Sequence, residues 1–150
     1  MGDFIAVMNN GKILQFDTPN NIYNKPNSAF VARFFGETLS LRSKVNNRNA
    51  KTIFGPIKIT DNKIKKTKEI EIIFRSEAFN VTKNNAKKNP RKIKSKIIAV
   101  KYISENSYLH LDILNNSVQK HLHIKVPGKF IPPKNKICYI NINKKNFFIF

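Results

Sequence analysis

The chain has 150 residues, a formal charge of +19 and 41% apolar content. That is enough for one modest core, and no apolar run approaches the ~18 residues a membrane-spanning helix needs. One cysteine, Cys138, rules out an internal disulfide, and the N-terminus lacks the basic and apolar regions of a secretory leader.

The opening run Phe4-Ile5-Ala6-Val7-Met8 reads as a buried strand between turn residues. Asn10-Gly11 is a two-residue hairpin turn, because both residues tolerate positive φ. Lys12 to Phe16 returns as the second strand. Asp17-Thr18-Pro19 reads as a helix start, with a capping side chain followed by a proline at the first helical position. That helix must stop near Lys25, because Pro26 follows. Asn27-Ser28 starts a second helix, in which Phe30, Val31 and Phe34 form an apolar stripe, and Gly36 is placed to end it. Such a unit has no means of burying both of its faces alone.

Residues 37–50 read as a transition, with a short strand at Thr38–Leu41 and a polar turn over Asn46–Asn49. The pattern beyond is β. Expected strands are Lys51–Phe54, Ile57–Thr60, Ile70–Arg75, Ile93–Ile103, Tyr108–Leu114, Gln119–Val126, Ile137–Asn143 and Asn146–Phe150. Asn80 to Ser95 carries many lysines and few apolar anchors and is expected to be an exposed loop. Many short strands at close spacing imply a small barrel or sandwich.

The charge is unevenly placed. Residues 1–43 carry Lys12, Lys25, Arg33 and Arg42 against Asp3, Asp17 and Glu37, so nearly all the excess lies beyond Arg42. Such a segment attracts polyanions. Its lysines greatly outnumber its arginines, however, and the Lys, Asn and Ile richness also follows from AT-rich codons. Nucleic-acid readers lean on arginine, so coding bias is the preferred account.

Residues 1–37 resemble the closing segment of the ATPase domain of bacterial ABC importers of the maltose, spermidine/putrescine and iron(III) class. The matching pieces are Asp3 to Met8, Asn10 to Ile13, Asp17 to Pro19, Ile22 to Pro26 and Phe30 to Gly36. Ile72-Ile73-Phe74-Arg75-Ser76-Glu77 is similar to the Arg-Pro-Glu stretch of the TOBE domain that follows this ATPase, with Ser76 in place of proline. Lys96 to Ile103 resembles a later strand of that domain, although the glycine expected near Ser104 is absent.

The resemblance implies an ATPase remnant at 1–37 and a TOBE-like, OB-type β domain at 38–150. It implies an accessory or regulatory module of an importer's ATP-binding subunit, from a truncated or split chain. Its partners would be the ABC ATPase domain and the permease subunits, in a dimeric complex in the cytoplasm, peripheral to the inner face of the plasma membrane. Arg75 and Glu77 would serve as a regulatory or interdomain contact, and Phe30, Phe34 and Phe35 as a partner-packing surface.

The catalytic apparatus of the parent family, which uses ATP and magnesium, is missing. Gly2, Gly11, Gly36, Gly55 and Gly128 include no pair at the spacing of a phosphate-cradling Walker A loop. No Walker B carboxylates, signature motif or switch histidine are present. The expectation is no enzymatic activity, no catalytic residue and no bound cofactor. His121 and His123 share a strand face, but without a cysteine or carboxylate cluster they read as solvated side chains, and no metal site is expected. The alternative function is a free-standing basic OB-like domain that binds nucleic acid.

Overall fold

The computed structural model describes residues 2–59, 69–82, 92–114, 120–143 and 146–150. Among the described residues the chain is mostly β, with two short α-helices. Strands β1 (Ile5–Asn9) and β2 (Lys12–Asp17) form an antiparallel hairpin. Helices α1 (Pro19–Asn24) and α2 (Ala29–Phe34) follow. Their N-caps are the expected ones: Thr18 Oγ1 accepts from Asn21 N at 3.3 Å, and Ser28 Oγ from Val31 N at 3.3 Å.

The remaining strands are β3 (Thr38–Asn46), β4 (Asn49–Thr52), β5 (Gly55–Lys58), β6 (Glu69–Arg75), β7 (Phe79–Thr82), β8 (Ile93–Ile103), β9 (Asn106–Ile113), β10 (Lys120–Pro127), β11 (Ile137–Ile142) and β12 (Phe147–Ile149). One five-stranded sheet runs β12-β6-β3-β4-β5 and the other β10-β9-β8-β11-β7. Every recorded pairing is antiparallel.

The two sheets share one core. Leu39, Leu41, Ile70, Ile72 and Phe74 come from the first, and Ile97, Leu109, Leu111, Ile113 and Ile140 from the second. Phe54, Phe74 and Phe79 interlock there with ring centroids 5.5–5.9 Å apart. A smaller cluster of Val7, Ile22 and Val31, flanked by Ile5, Leu14, Phe30 and Phe35, sits under the hairpin.

The strand expected over Lys51–Phe54 is β4 at Asn49–Thr52, with Ile53 and Phe54 in the turn to β5, and two further expectations need correcting. The strand begun at Thr38 continues to Asn46, because Ser43 faces inward and its hydroxyl donates to Lys51 O at 2.9 Å. The loop expected over Asn80–Ser95 is bounded more narrowly. Phe79–Thr82 is a strand paired with β11, and Ile93–Ser95 already belongs to β8. Residues 83–91 of that loop, together with Thr60 and Gln119 of the expected strands, lie outside the described residues. Among the described residues, no helix is long and apolar enough to cross a membrane.

Candidate functional site

The hairpin–helix segment meets the sheets at Tyr23, Arg75 and Glu77, and again where Arg33 Nη1 of α2 donates to Glu71 Oε1 of β6 at 2.6 Å. Arg75 ends β6 and is buried, although its residue type favours water. Its Nη2 donates to Tyr23 O at 2.8 Å and its Nη1 to Phe35 O at 2.5 Å. These carbonyls belong to the ends of α1 and α2, where helices leave acceptors unsatisfied. The guanidinium also lies 3.9 Å from the centroid of the Tyr23 ring and 5.3 Å from that of Phe148. Gly36 follows Phe35, and its φ of +129°, which residues with a side chain rarely adopt, turns the chain away from the end of α2. Burial lowers the Arg75 pKa, and the neighbouring Tyr23 and Glu77 oppose that shift.

Glu77 lies in the 3-10 turn Ser76–Ala78 and accepts from Tyr23 Oη at 2.8 Å. Burial, and then that hydrogen bond, raise the tyrosine's pKa. Thus the two residues singled out from the Arg-x-Glu stretch converge on Tyr23, a position the sequence reading did not select.

A cleft of about 700 Å³ opens beside this junction. Tyr23, Gly36, Glu37 and Glu77 line one wall, and Lys101, Tyr108, His110, His123 and Lys125 line the other. The second wall is the outer face of β8-β9-β10. The registers arrange its side chains in rows: Lys101–Tyr108–Lys125, Ala99–His110–His123 and Lys96–Asp112–His121. Glu37 reaches across the cleft, its Oε2 3.4 Å from His123 Nδ1.

Of the three phenylalanines selected from α2, only Phe34 is strongly exposed. Phe30 and Phe35 pack on the Val7–Ile22–Val31 cluster. The larger open apolar surface is on the hairpin. Its inner pair, Val7 and Gln15, is buried, while Phe16 pairs with Ala6, and Ile13 with Met8, on the outer face. Phe4 stacks on Phe16 at 5.4 Å. Phe4, Met8, Ile13 and Phe16 are each 56–64% exposed. The sequence reads Phe4–Met8 as a buried strand and leaves one face of the unit uncovered, but periodicity alone cannot say which side of a hairpin is covered.

Gln15 is a further residue that the reading passed over. Its Nε2 donates to Lys25 O at 3.1 Å and its Oε1 accepts from Asn27 N at 2.8 Å, which ties down the α1–α2 linker on both sides of Pro26.

No family model matches the chain. Among solved structures it is similar to the cytoplasmic molybdate-binding protein ModG in its molybdate-bound form, with a TM-score of 0.49 and 7% identity over 74% of this chain and 94% of that one. The likeness is one of fold alone.

Proposed function

We propose that the chain is an accessory or regulatory module of an ABC importer's ATP-binding subunit, and that it docks through its hairpin onto an ATPase body it does not contain. One observation carries the reading: the outer face of β1-β2 presents Phe4, Met8, Ile13 and Phe16 together, open to solvent. Apolar side chains clustered on one exposed face mark an interaction surface, and this face lies within the segment that resembles the end of the ATPase domain.

The junction supports a transmitting role. A displacement of α1 by a partner would act directly on Tyr23, and through it on Arg75 and Glu77 at the base of the sheets. On this reading the chain neither binds nor hydrolyses ATP by itself. Its placement beside permease subunits at the inner membrane face follows from that assembly.

The test is co-expression with an importer ATPase truncated just before the segment that residues 1–37 resemble. The chain should co-elute with that body, and Ile13→Asp with Phe16→Asp should abolish association while leaving the circular dichroism unchanged. Failure of the unaltered chain to associate would defeat the proposal.

A second reading has a specific observation behind it. The row Lys101–Tyr108–Lys125 sets an exposed aromatic between two cations on one sheet face, an arrangement suited to stacking on a base between phosphates. Single-stranded nucleic acid held with an affinity falling steeply in salt would favour it.

A further inference from the structure

The chain has three histidines in 150 residues, and the β9–β10 register brings all of them to one face. His121 stands opposite Asp112, and His123 opposite His110. His110 and Asp112 share a side because they are two apart on a strand, as are His121 and His123. The donor atoms of His110, Asp112 and His121 all lie within 4.8 Å of one another.

The polar bonding of this cluster is incomplete. His110 Nε2 and Asp112 Oδ1 are both buried and both lack a hydrogen-bond partner. His121 Nδ1 comes within 2.5 Å of Asp112 Oδ1, a separation that needs a shared proton or a cation to offset the repulsion of two lone pairs. Buried polar atoms ordinarily have partners. Lys96 stands opposite Asp112 on the other side, and among the described residues no ion pair joins them. Two imidazoles and a carboxylate therefore converge, with His110 Nε2 buried and unpartnered beside the His121–Asp112 pair.

We propose that His110, Asp112 and His121 bind one divalent transition-metal ion of borderline softness, of which Zn²⁺ is the type. Nitrogen with oxygen donors suits such ions, whereas Ca²⁺ and Mg²⁺ take oxygen shells. Bonds of about 2.0–2.1 Å at tetrahedral angles set the donors about 3.3 Å apart, so the His121–Asp112 pair, now 2.5 Å apart, has to open as the wider separations close. His121 has the freedom to do so, since its side chain is 63% exposed. A chain at +19 repels free cations, so an ion it retains is held by ligand bonds rather than by the general field. Three protein ligands leave one position of a tetrahedron open. His123 packs on His110, with ring centroids 4.6 Å apart, outside the group of three.

The untagged full chain titrated with Zn²⁺ by calorimetry, and with Co²⁺ by visible absorption, tests the site. The expected result is one ion per chain, d–d bands of a low-coordinate Co²⁺ centre, and no displacement by millimolar Mg²⁺ or Ca²⁺. His121→Ala replaces an exposed side chain and so leaves the fold intact, and Asp112→Asn keeps the side-chain volume. Each should weaken binding by at least about tenfold, since ligand loss costs no less than loss of an outer-shell support. His123→Ala should change it by less than that. Zn²⁺ binding that survives His121→Ala unchanged, or no saturable binding by the unaltered chain, would overturn the site.

Discussion

Arg75 sits over the Tyr23 ring and also donates to its backbone: the guanidinium is 3.9 Å from the ring centroid, and Nη2 is 2.8 Å from the carbonyl oxygen. A second donor, Nη1, serves Phe35 O. One planar cation thus closes two helix ends and covers a ring. Lysine, with a point charge and a single head, cannot do all three. Arg75→Lys is expected to cost about 2 kcal/mol, and Arg75→Ala about 3 kcal/mol or more, because the two carbonyls lose charged donors in a buried setting. Urea denaturation measures both. Tyr23→Phe removes only the bond to Glu77, which is exposed, and should cost less than about 1 kcal/mol.

Gln15 calls for a different substitution series. Its amide uses both ends, as donor to Lys25 O and acceptor from Asn27 N. Gln15→Glu keeps the acceptor and loses the donor, and it also buries a charge. Gln15→Leu keeps the volume and strands both backbone groups. Each should cost about 2–3 kcal/mol, and amide exchange at Asn27 should accelerate ahead of exchange in the sheets, because the linker opens locally.

Local chemistry made much of the fold legible. The Asn-Gly turn, the two helix caps and the proline stop are decided within a few residues, and the strands with strict alternation read directly. Arg42, Ser43 and Lys44 look polar and end the strand at Leu41 in the sequence pattern, although Ser43 points inward and bonds to Lys51 O. β7 has four residues, and its partner is β11, far along the chain. The junction was half visible: Arg75 and Glu77 stood out, but Tyr23 lies 52 residues from Arg75 and 54 from Glu77, a pairing no local pattern encodes. The histidine face depends on the β9–β10 register, and sequence spacing shows the i, i+2 relation but not which residues stand opposite.

Cys138 gives the chain an alkaline limit. The thiol is buried among apolar side chains, and burial alone raises its pKa from 9.0 to about 11. The unfolded chain therefore loses this proton at lower pH than the folded one. The stabilisation is complete below about pH 9 and is lost as pH rises through 11. A shift of this size corresponds to about 2–3 kcal/mol. The stability advantage of the unaltered chain over Cys138→Ala should shrink by about that amount between pH 8 and pH 11, as read from urea midpoints. Labelling of the native thiol at pH 8 should proceed only as fast as the chain opens.

The β8–β9 turn carries a cost that one substitution can remove. Ser104 and Glu105 both have positive φ, 43° and 66°, the mark of the two-residue turn whose twist matches the flanking strands. Neither is glycine, and the glycine that the resemblance led one to expect there is missing. Asn106 Nδ2 donates to Ser104 O at 3.0 Å, and Gly128 N to Glu105 O at 2.7 Å, so the surrounding bonds hold the turn in place. The β3–β4 turn uses the same device, with Asn47 and Arg48 at positive φ and Asn49 Nδ2 donating to Asn47 O at 3.0 Å. A side chain in the left-handed region costs about 1–2 kcal/mol. Glycine relieves that cost, but it loosens the unfolded chain by about 0.4–1 kcal/mol. Glu105→Gly should therefore stabilise by about 0.5–1 kcal/mol, seen as a rise of roughly 1–4 °C in Tm for a chain of this length. Glu105→Ala keeps the Cβ and the strain, and should gain nothing. Equal effects from the two substitutions would mean that the turn residue's side chain, and not its backbone, sets the stability there.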